Sequence, residues 1–113
     1  MRTFIVNQAA ERVFEVAAEL FALLATPTRL RIVCELRGGE KNVSQLLVRV
    51  GVSQSNMSQH LGTLYRSGIL GRRRSGSQVF YRISSERVLL LCDAVCAEQG
   101  EVLAHSRSAR AVL

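Results

Sequence analysis

Residues 43–82 read VSQLLVRVGVSQSNMSQHLGTLYRSGILGRRRSGSQVFYR, with no acidic residue among them. Leu46, Leu47 and Val50 recur at helical spacing, Gly51 follows, and Val52 supplies a buried apolar side chain ahead of Ser53. That order predicts a short helix from Val43 to Val50, a tight turn, and a second helix from Ser53 to Arg66. Glycine suits such a turn because its left-handed backbone conformation crowds any Cβ. Ser53 is a good N-cap, and Met57, Leu61 and Leu64 mark the inward stripe of the second helix. The opposite face carries Gln54, Ser55, Ser58, Gln59 and Thr63. Short neutral donors and acceptors fit base edges and phosphate oxygens in a major groove, whereas an ordinary solvated helix favours Glu and Lys. His60, beside Gln59, can touch DNA from there or turn inward as a cap.

Ser67-Gly68 ends this helix, Ile69-Leu70-Gly71 opens an extended segment, and the alternation of Gln78 to Ile83 predicts a second strand. Between them Arg72-Arg73-Arg74-Ser75-Gly76-Ser77 reads as the flexible basic tip of a hairpin, the wing of a winged helix. From Lys41 to Arg82 the charges are Lys41, Arg49, Arg66, Arg72, Arg73, Arg74 and Arg82, all positive. The whole chain has 15 Lys and Arg against 9 Asp and Glu, a net charge of +6, so this segment carries the entire excess. A localised positive field draws polyanions, and solubilising surfaces instead interleave both signs. Double-stranded DNA is the expected partner, contacted by Ser53, Gln54, Ser55, Ser58, Gln59, His60, Thr63, Arg72, Arg73, Arg74 and Gln78.

The 113 residues are expected to form a single domain, with 106–113 as a flexible tail. Hydrophobic residues make up 48% and aromatics only 5%, which points to packed helices with a Leu, Val and Ala core. A helix from Asn7 to about Ala25 is expected, with Val13, Val16, Ala17, Leu20, Phe21 and Leu24 on one stripe. Pro27 opens the next, through Leu36, and Gly38-Gly39 closes it. The last helix begins near Ser84-Ser85-Glu86 and runs through Val88, Leu91, Cys92, Val95 and Cys96 toward Leu103. The expected class is mainly α with a small β-hairpin, in the order ααααββα. Apolar helices at both ends of so short a chain call for a partner, so the first and last helices are read as the interface of a homodimer. No apolar run reaches membrane-spanning length and Met1-Arg2-Thr3 does not open a signal peptide, so a cytoplasmic protein is expected. Nothing supports an enzyme: no Ser/His/Asp constellation, phosphate-cradling glycine loop or paired carboxylates.

Three segments together resemble the ArsR/SmtB family of bacterial repressors: Ala25-Thr26-Pro27-Thr28-Arg29-Leu30-Arg31-Ile32, Val52-Ser53-Gln54-Ser55-Asn56-Met57-Ser58-Gln59-His60-Leu61, and Gly76-Ser77-Gln78-Val79-Phe80-Tyr81-Arg82-Ile83. The resemblance implies a dimeric winged-helix repressor that occupies an operator, an inverted repeat, until a small inorganic inducer is sensed. Many metal-sensing members carry paired cysteines in the helix that here spans Val43 to Val50, and this chain has none there. Others bind zinc along the last helix, where only Asp93 and His105 remain, with Ser85, Arg87 and Glu98 where ligands would stand.

The three cysteines, Cys34, Cys92 and Cys96, are an odd number and read as free thiols in a reducing compartment. Cys34 resembles the second-helix cysteine of the family's sulfide- and redox-responsive branch, which pairs with one in the last helix. Cys92 and Cys96 both qualify, lying four residues apart on one face; Ala97-Glu98-Gln99 after Cys96 resembles the family context better. The expected inducers are therefore reactive sulfur species or oxidants acting on Cys34 with Cys96 or Cys92, without a resident cofactor. As(III) or another thiophilic metal held by all three thiols is the alternative. Each cysteine can equally serve as a small buried hydrophobe. Arg29 and Arg31 lie near Cys34 along the chain and are of the kind that favours a thiolate, but the sequence does not place them in space. A winged-helix protein-interaction module is the reading from a different class; a thiol oxidoreductase would need a two-residue cysteine spacing that is missing.

Overall fold

The computed structural model describes residues 2–97, with side chains from Gln8 onward. In chain order the elements are α1 (Arg2–Leu23), α2 (Pro27–Leu36), β1 (Lys41–Asn42), α3 (Val43–Val50), α4 (Gln54–Arg66), β2 (Leu70–Ser75) and β3 (Gln78–Ile83). A further helix, α5, follows over 86–97. Leu103, His105 and the expected tail 106–113 lie outside the described residues.

The junctions form for local reasons. Thr26 Oγ1 accepts a hydrogen bond from Arg29 N at 3.1 Å, and Pro27 starts α2 where its missing N–H costs nothing. Asn42 and Gln45 make a reciprocal capping box at α3, with bonds of 2.8 and 2.9 Å. Gly51 ends α3 at φ 75°, and Ser53 caps α4 by accepting from Asn56 N at 3.2 Å. The end of α4 is a Schellman turn: Gly68 at φ 82° donates to Tyr65 O and Ile69 N donates to Leu64 O, each at 3.1 Å. Ile69 and Leu64 are both buried, which supplies the apolar contact that accompanies this motif. The expected helix-turn-helix is therefore present with the expected glycine and cap, although Val52 is half-buried rather than buried.

Three features depart from the sequence reading. Helix α1 runs through Asn7 from Arg2, so the helix does not start at an Asn7 cap. The sheet has three antiparallel strands in the order β1-β3-β2, because Lys41 and Asn42 pair with Tyr81 and Phe80. Two residues carry too little alternation to announce a strand, so β1 left no sequence signal. The wing's arginines belong to β2 itself: Arg72, Arg73 and Arg74 face Tyr81, Phe80 and Val79 across the ladder. The tip shrinks to Gly76-Ser77, with Gly76 at φ 63°.

One apolar core unites these pieces. Ile32 and Val33 of α2, Leu46 and Val50 of α3, Met57, Leu61 and Leu64 of α4, Leu70 and Tyr81 of the sheet, and Val88 and Cys92 of α5 are all buried. No buried side-chain nitrogen or oxygen among the described residues lacks a partner. Truncating a fully enclosed leucine removes transfer energy and leaves a cavity, so Leu61→Ala is expected to lower unfolding free energy by about 2–5 kcal/mol. Gly51→Ala strains only one left-handed residue, in open space, and is expected to cost about 1 kcal/mol. Urea titration of both variants checks the ranking, and a larger loss for Gly51→Ala would contradict this account of the core.

Candidate nucleic-acid interface and cysteine pair

Helix α4 presents a polar concavity of about 450 Å³ lined by Ser58, Gln59, His60, Thr63, Arg29 and Arg66. Four of these were expected from the sequence; Arg29 and Arg66 were not. Arg29 Nε donates to His60 Nδ1 at 3.1 Å, which leaves the ring's remaining proton on Nε2. Its Nη1 donates to Leu23 O at 3.1 Å, so one guanidinium ties the end of α1, the start of α2 and α4 together. Arg66 folds back over Gly62: a Cβ there would stand 3.0 Å from Arg66 Nη1. The spacing Gln59, Thr63, Arg66 was the available signal for placing Arg66 on this face. Gln54 and Ser55 are exposed in the first turn of α4, and Ser53 is spent on the cap.

In the wing, side chains alternate between the two faces of the sheet. Arg72 and Arg74 share the face that looks toward α4, and the Arg72 guanidinium stacks 3.9 Å from the centre of the Tyr65 ring. A hydrogen bond with Tyr81 is the largest influence raising the Arg72 pKa above its ordinary value. Arg73 lies on the opposite face over Phe80 at 4.8 Å and pairs with Glu40, its Nε 2.9 Å from Oε2. The same bond holds the Glu40 carboxyl below the usual range. Glu40 stands one residue before the acid-free stretch, so counting charges along the chain missed it. Gln78 Oε1 accepts from Asn42 Nδ2 at 3.2 Å, a contact created by β1. Of the wing arginines, Arg74 makes no ion pair or side-chain hydrogen bond among the described residues. The tip is thus less free than the sequence implied, and Arg74 is its most available cation.

On the other side of α2, Cys34 Sγ lies 2.8 Å from Cys96 Sγ, with all three cysteines free thiols. Cys92, one turn earlier in α5, is buried against Cys34 across an apolar cavity of about 270 Å³ that Phe21, Leu24, Leu30 and Leu91 also line. A cleft of about 480 Å³ opens on Cys34 from the opposite side, past Arg31, Glu35 and Arg49. Next to the thiols Arg37 Nε donates to Asp93 Oδ1 at 2.6 Å. Among the described residues no three Cys, His, Asp or Glu side chains are grouped to hold a metal.

The bacterial regulatory protein arsR family model matches residues 26–71, from the start of α2 to the first residues of the wing. A biofilm growth-associated repressor from Xylella fastidiosa strain 9a5c is 38% identical over 86 residues, 73% of this chain and 75% of that protein. The chain belongs to the ArsR/SmtB family of DNA-binding transcriptional repressors. Its fold matches reduced HlyU from Vibrio cholerae with a TM-score of 0.75 at 35% identity, covering 78% of this chain and 93% of that one. The homodimeric winged helix-turn-helix domain Mb0332 from Mycobacterium bovis matches with a TM-score of 0.70 at 29% identity, covering 85% and 89%. Regulators of this family are not enzymes, in keeping with the absence of a catalytic constellation in the sequence.

Within this repressor the thiols differ in character. Burial first, then the hydrogen bond and charge of Cys96, push the Cys34 thiol up from 9.0 to about 12. Burial likewise raises Cys92. Arg37, and not Arg29 or Arg31, is the cation that acts on Cys34. Arg29 is drawn to His60, and Arg31 Nη1 reaches Val50 O at 3.4 Å. The available signal was a pair of three-residue offsets, from Cys34 in α2 to Arg37 at its C-cap and from Asp93 to Cys96 in α5. No helix of the described residues is long and apolar enough to cross a membrane.

The raised Cys34 pKa has a consequence for stability. Above about pH 9 the unfolded chain releases this proton while the folded chain keeps it to about pH 12, so stability is present below pH 9 and declines as pH rises. Denaturation at stepped alkaline pH is expected to show a shallower decline in Cys34→Ala than in the parent under reducing conditions. Equal slopes would mean that Cys34 does not hold its proton in the folded state.

Proposed function

We propose that the chain is a cytoplasmic homodimer that occupies an inverted-repeat operator and releases it when Cys34 and Cys96 are joined by reactive sulfur species or oxidants. The observation that carries this reading is the meeting of the two sulfurs, 2.8 Å apart, between helices that belong to different working parts of the molecule. Cys34 shares α2 with Arg29, which grips the recognition helix through His60. Cys96 belongs to α5, whose outer surface continues into the dimer seam.

That seam is supported by apolar groups that no sensible monomer would leave in water. Phe14 is 68% exposed, Val13 65% and Phe21 59% on α1, and Leu90 is 69% exposed on α5. The groove between these helices, about 590 Å³ and lined by Val13, Val16, Leu20, Phe21, Leu90 and Leu91, fits the same helices of a second copy. Pairing through this seam puts two α4 helices about one helical turn of DNA apart. Arg29, Arg66 and Arg74 then hold phosphates while Gln54, Ser55, Ser58, Gln59 and Thr63 reach base edges. A bond between α2 and α5 shifts both recognition helices relative to the two-fold axis and spoils the match to the operator.

Band-shift titration on the chain's own promoter tests this reading. Polysulfide or diamide is expected to weaken operator binding at least tenfold, reversibly with dithiothreitol, and Cys34→Ser and Cys96→Ser are each expected to abolish that response. Unchanged induction in both variants would sink it. Mass spectrometry of the treated protein separates the chemistries: a lost pair of hydrogens or added sulfur supports the bridge, whereas one bound arsenic after arsenite supports the trithiolate alternative. Binding that ignores operator sequence would favour the protein-interaction reading. For the DNA contacts, Arg74→Ala is expected to weaken binding to all sequences alike and to reduce the slope of log affinity against log salt by about 1.

A further inference from the structure

The cavity of about 270 Å³ beside Cys34 has no part in the DNA face or in the bridge to Cys96. Helix α1 gives it Phe21, α2 gives Leu30 and Cys34, and α5 gives Leu91, Cys92 and Val95. No side chain in its wall carries a nitrogen or an oxygen; the only side-chain heteroatoms there are the two thiol sulfurs. A buried water needs two to four polar partners, which this wall does not offer. Apolar cavities of about 150 Å³ stay dry and take up benzene, so this larger one has room for a substituted ring. Leu24 and Cys92 are buried at its floor, while Phe21, Leu30 and Val95 are partly exposed and frame an opening.

The wall also selects among apolar guests. Sulfur makes favourable contacts at the edge of an aromatic ring, and Phe21 supplies a second ring for offset or edge-to-face packing. A charged guest would give up its water for a surface that offers nothing in return. The cleft on the other side of Cys34, with Arg31, Glu35 and Arg49, has the opposite character. We propose that the 270 Å³ cavity binds a small neutral aromatic molecule, and that this guest is a second input to the repressor.

The route to DNA runs through shared walls. Phe21 and Leu91 line both this cavity and the groove that fits a second copy of the chain. A guest held between Phe21 of α1 and Leu91 of α5 sets the separation of the two helices that form the seam, and with it the spacing of the recognition helices. This consequence rests on the homodimer and operator reading above; the binding itself does not. Cys92, which the bridge leaves unused, keeps the floor open where a leucine would fill it.

Toluene is the probe, with benzoate as its charged counterpart. In methyl NMR of the reduced protein, toluene is expected to shift Leu24, Leu30, Leu91 and Val95 saturably, with a Kd of about 0.1–1 mM for so small a ligand. Benzoate is expected to leave them unmoved. No saturable shift, an equal response to benzoate, or shifts confined to Val13, Val16 and Leu90 of the outer groove would each overturn the proposal. Cys92→Leu is expected to weaken toluene binding at least tenfold while Cys92→Ala keeps it; undiminished binding in folded Cys92→Leu would overturn the placement. Should Cys92→Leu fail to fold, the benzoate comparison on the parent still decides. In band shifts, saturating toluene is expected to lower the operator affinity of the reduced protein at least threefold, and unchanged affinity beside proven binding would overturn the second input. Cysteine-independent release under polysulfide would sink the sensing reading and leave this site standing, so the two failures remain distinguishable.

Discussion

Helix α2 is held on one face by the apolar core, and it carries polar side chains on both flanks. Ile32 and Val33 are completely enclosed, packed among residues of α3, α4 and α5. Because that interior is close-packed, α2 moves as a body with whatever is attached to it instead of bending around a local disturbance. Arg29 on one flank grips the recognition helix and the end of α1, while Cys34 and Arg37 on the other meet α5. A single short helix therefore touches the DNA-reading element, the first helix and the sulfur pair at once. The sulfurs and His60 are thus joined through one helix about three turns long.

The electrostatic design follows from where the acidic residues were left out and where one was let in. The whole of α4 and the wing are free of carboxylates, so the field of Arg66, Arg74 and their neighbours is not cancelled at the surface that faces a duplex. Glu40, just outside that stretch, neutralises Arg73 on the far face of the wing. Packing Arg72 on Tyr65 and Arg73 on Phe80 stiffens the ladder that carries Arg74 outward. Exposed ion pairs of this kind add little to stability. Their value here is directional: they decide which guanidinium is left for a phosphate.

Much of this architecture is legible in the chain. Gly51, Ser53 and Gly68 announce the turn, the cap and the helix stop, because each does a backbone job that few other residues can do. The stripe of Met57, Leu61 and Leu64 identifies the buried face of the recognition helix, and with it the exposed one. What escaped were pairings between distant segments. Strand β1 exists because β3 offers an edge, the Glu40–Arg73 pair joins residues 33 apart, and Arg29 meets His60 across 31. Arg37 escaped for the same reason: its partner Asp93 becomes a neighbour only when α5 packs against α2. Local propensity finds elements and caps, while the site lies between elements.

The placement of the sulfurs also constrains how a bridge would act. Cys34 and Cys96 are 62 residues apart in sequence, so joining them removes unfolded-state entropy worth about 4 kcal/mol in the chain-closure picture. A bridge of this kind would stabilise the folded chain and not melt it, so the proposed release does not run through unfolding. The free energy needed for release is smaller, since a tenfold fall in affinity corresponds to about 1.4 kcal/mol. In the proposed dimer two recognition helices must fit one duplex simultaneously, so a small rotation of each about the seam would degrade both contacts together. In the proposed mechanism the thiols therefore act on the spacing of an intact dimer, with α2, fixed to the core on one face, linking a bond at its Cys34 end to displacement at its Arg29 end.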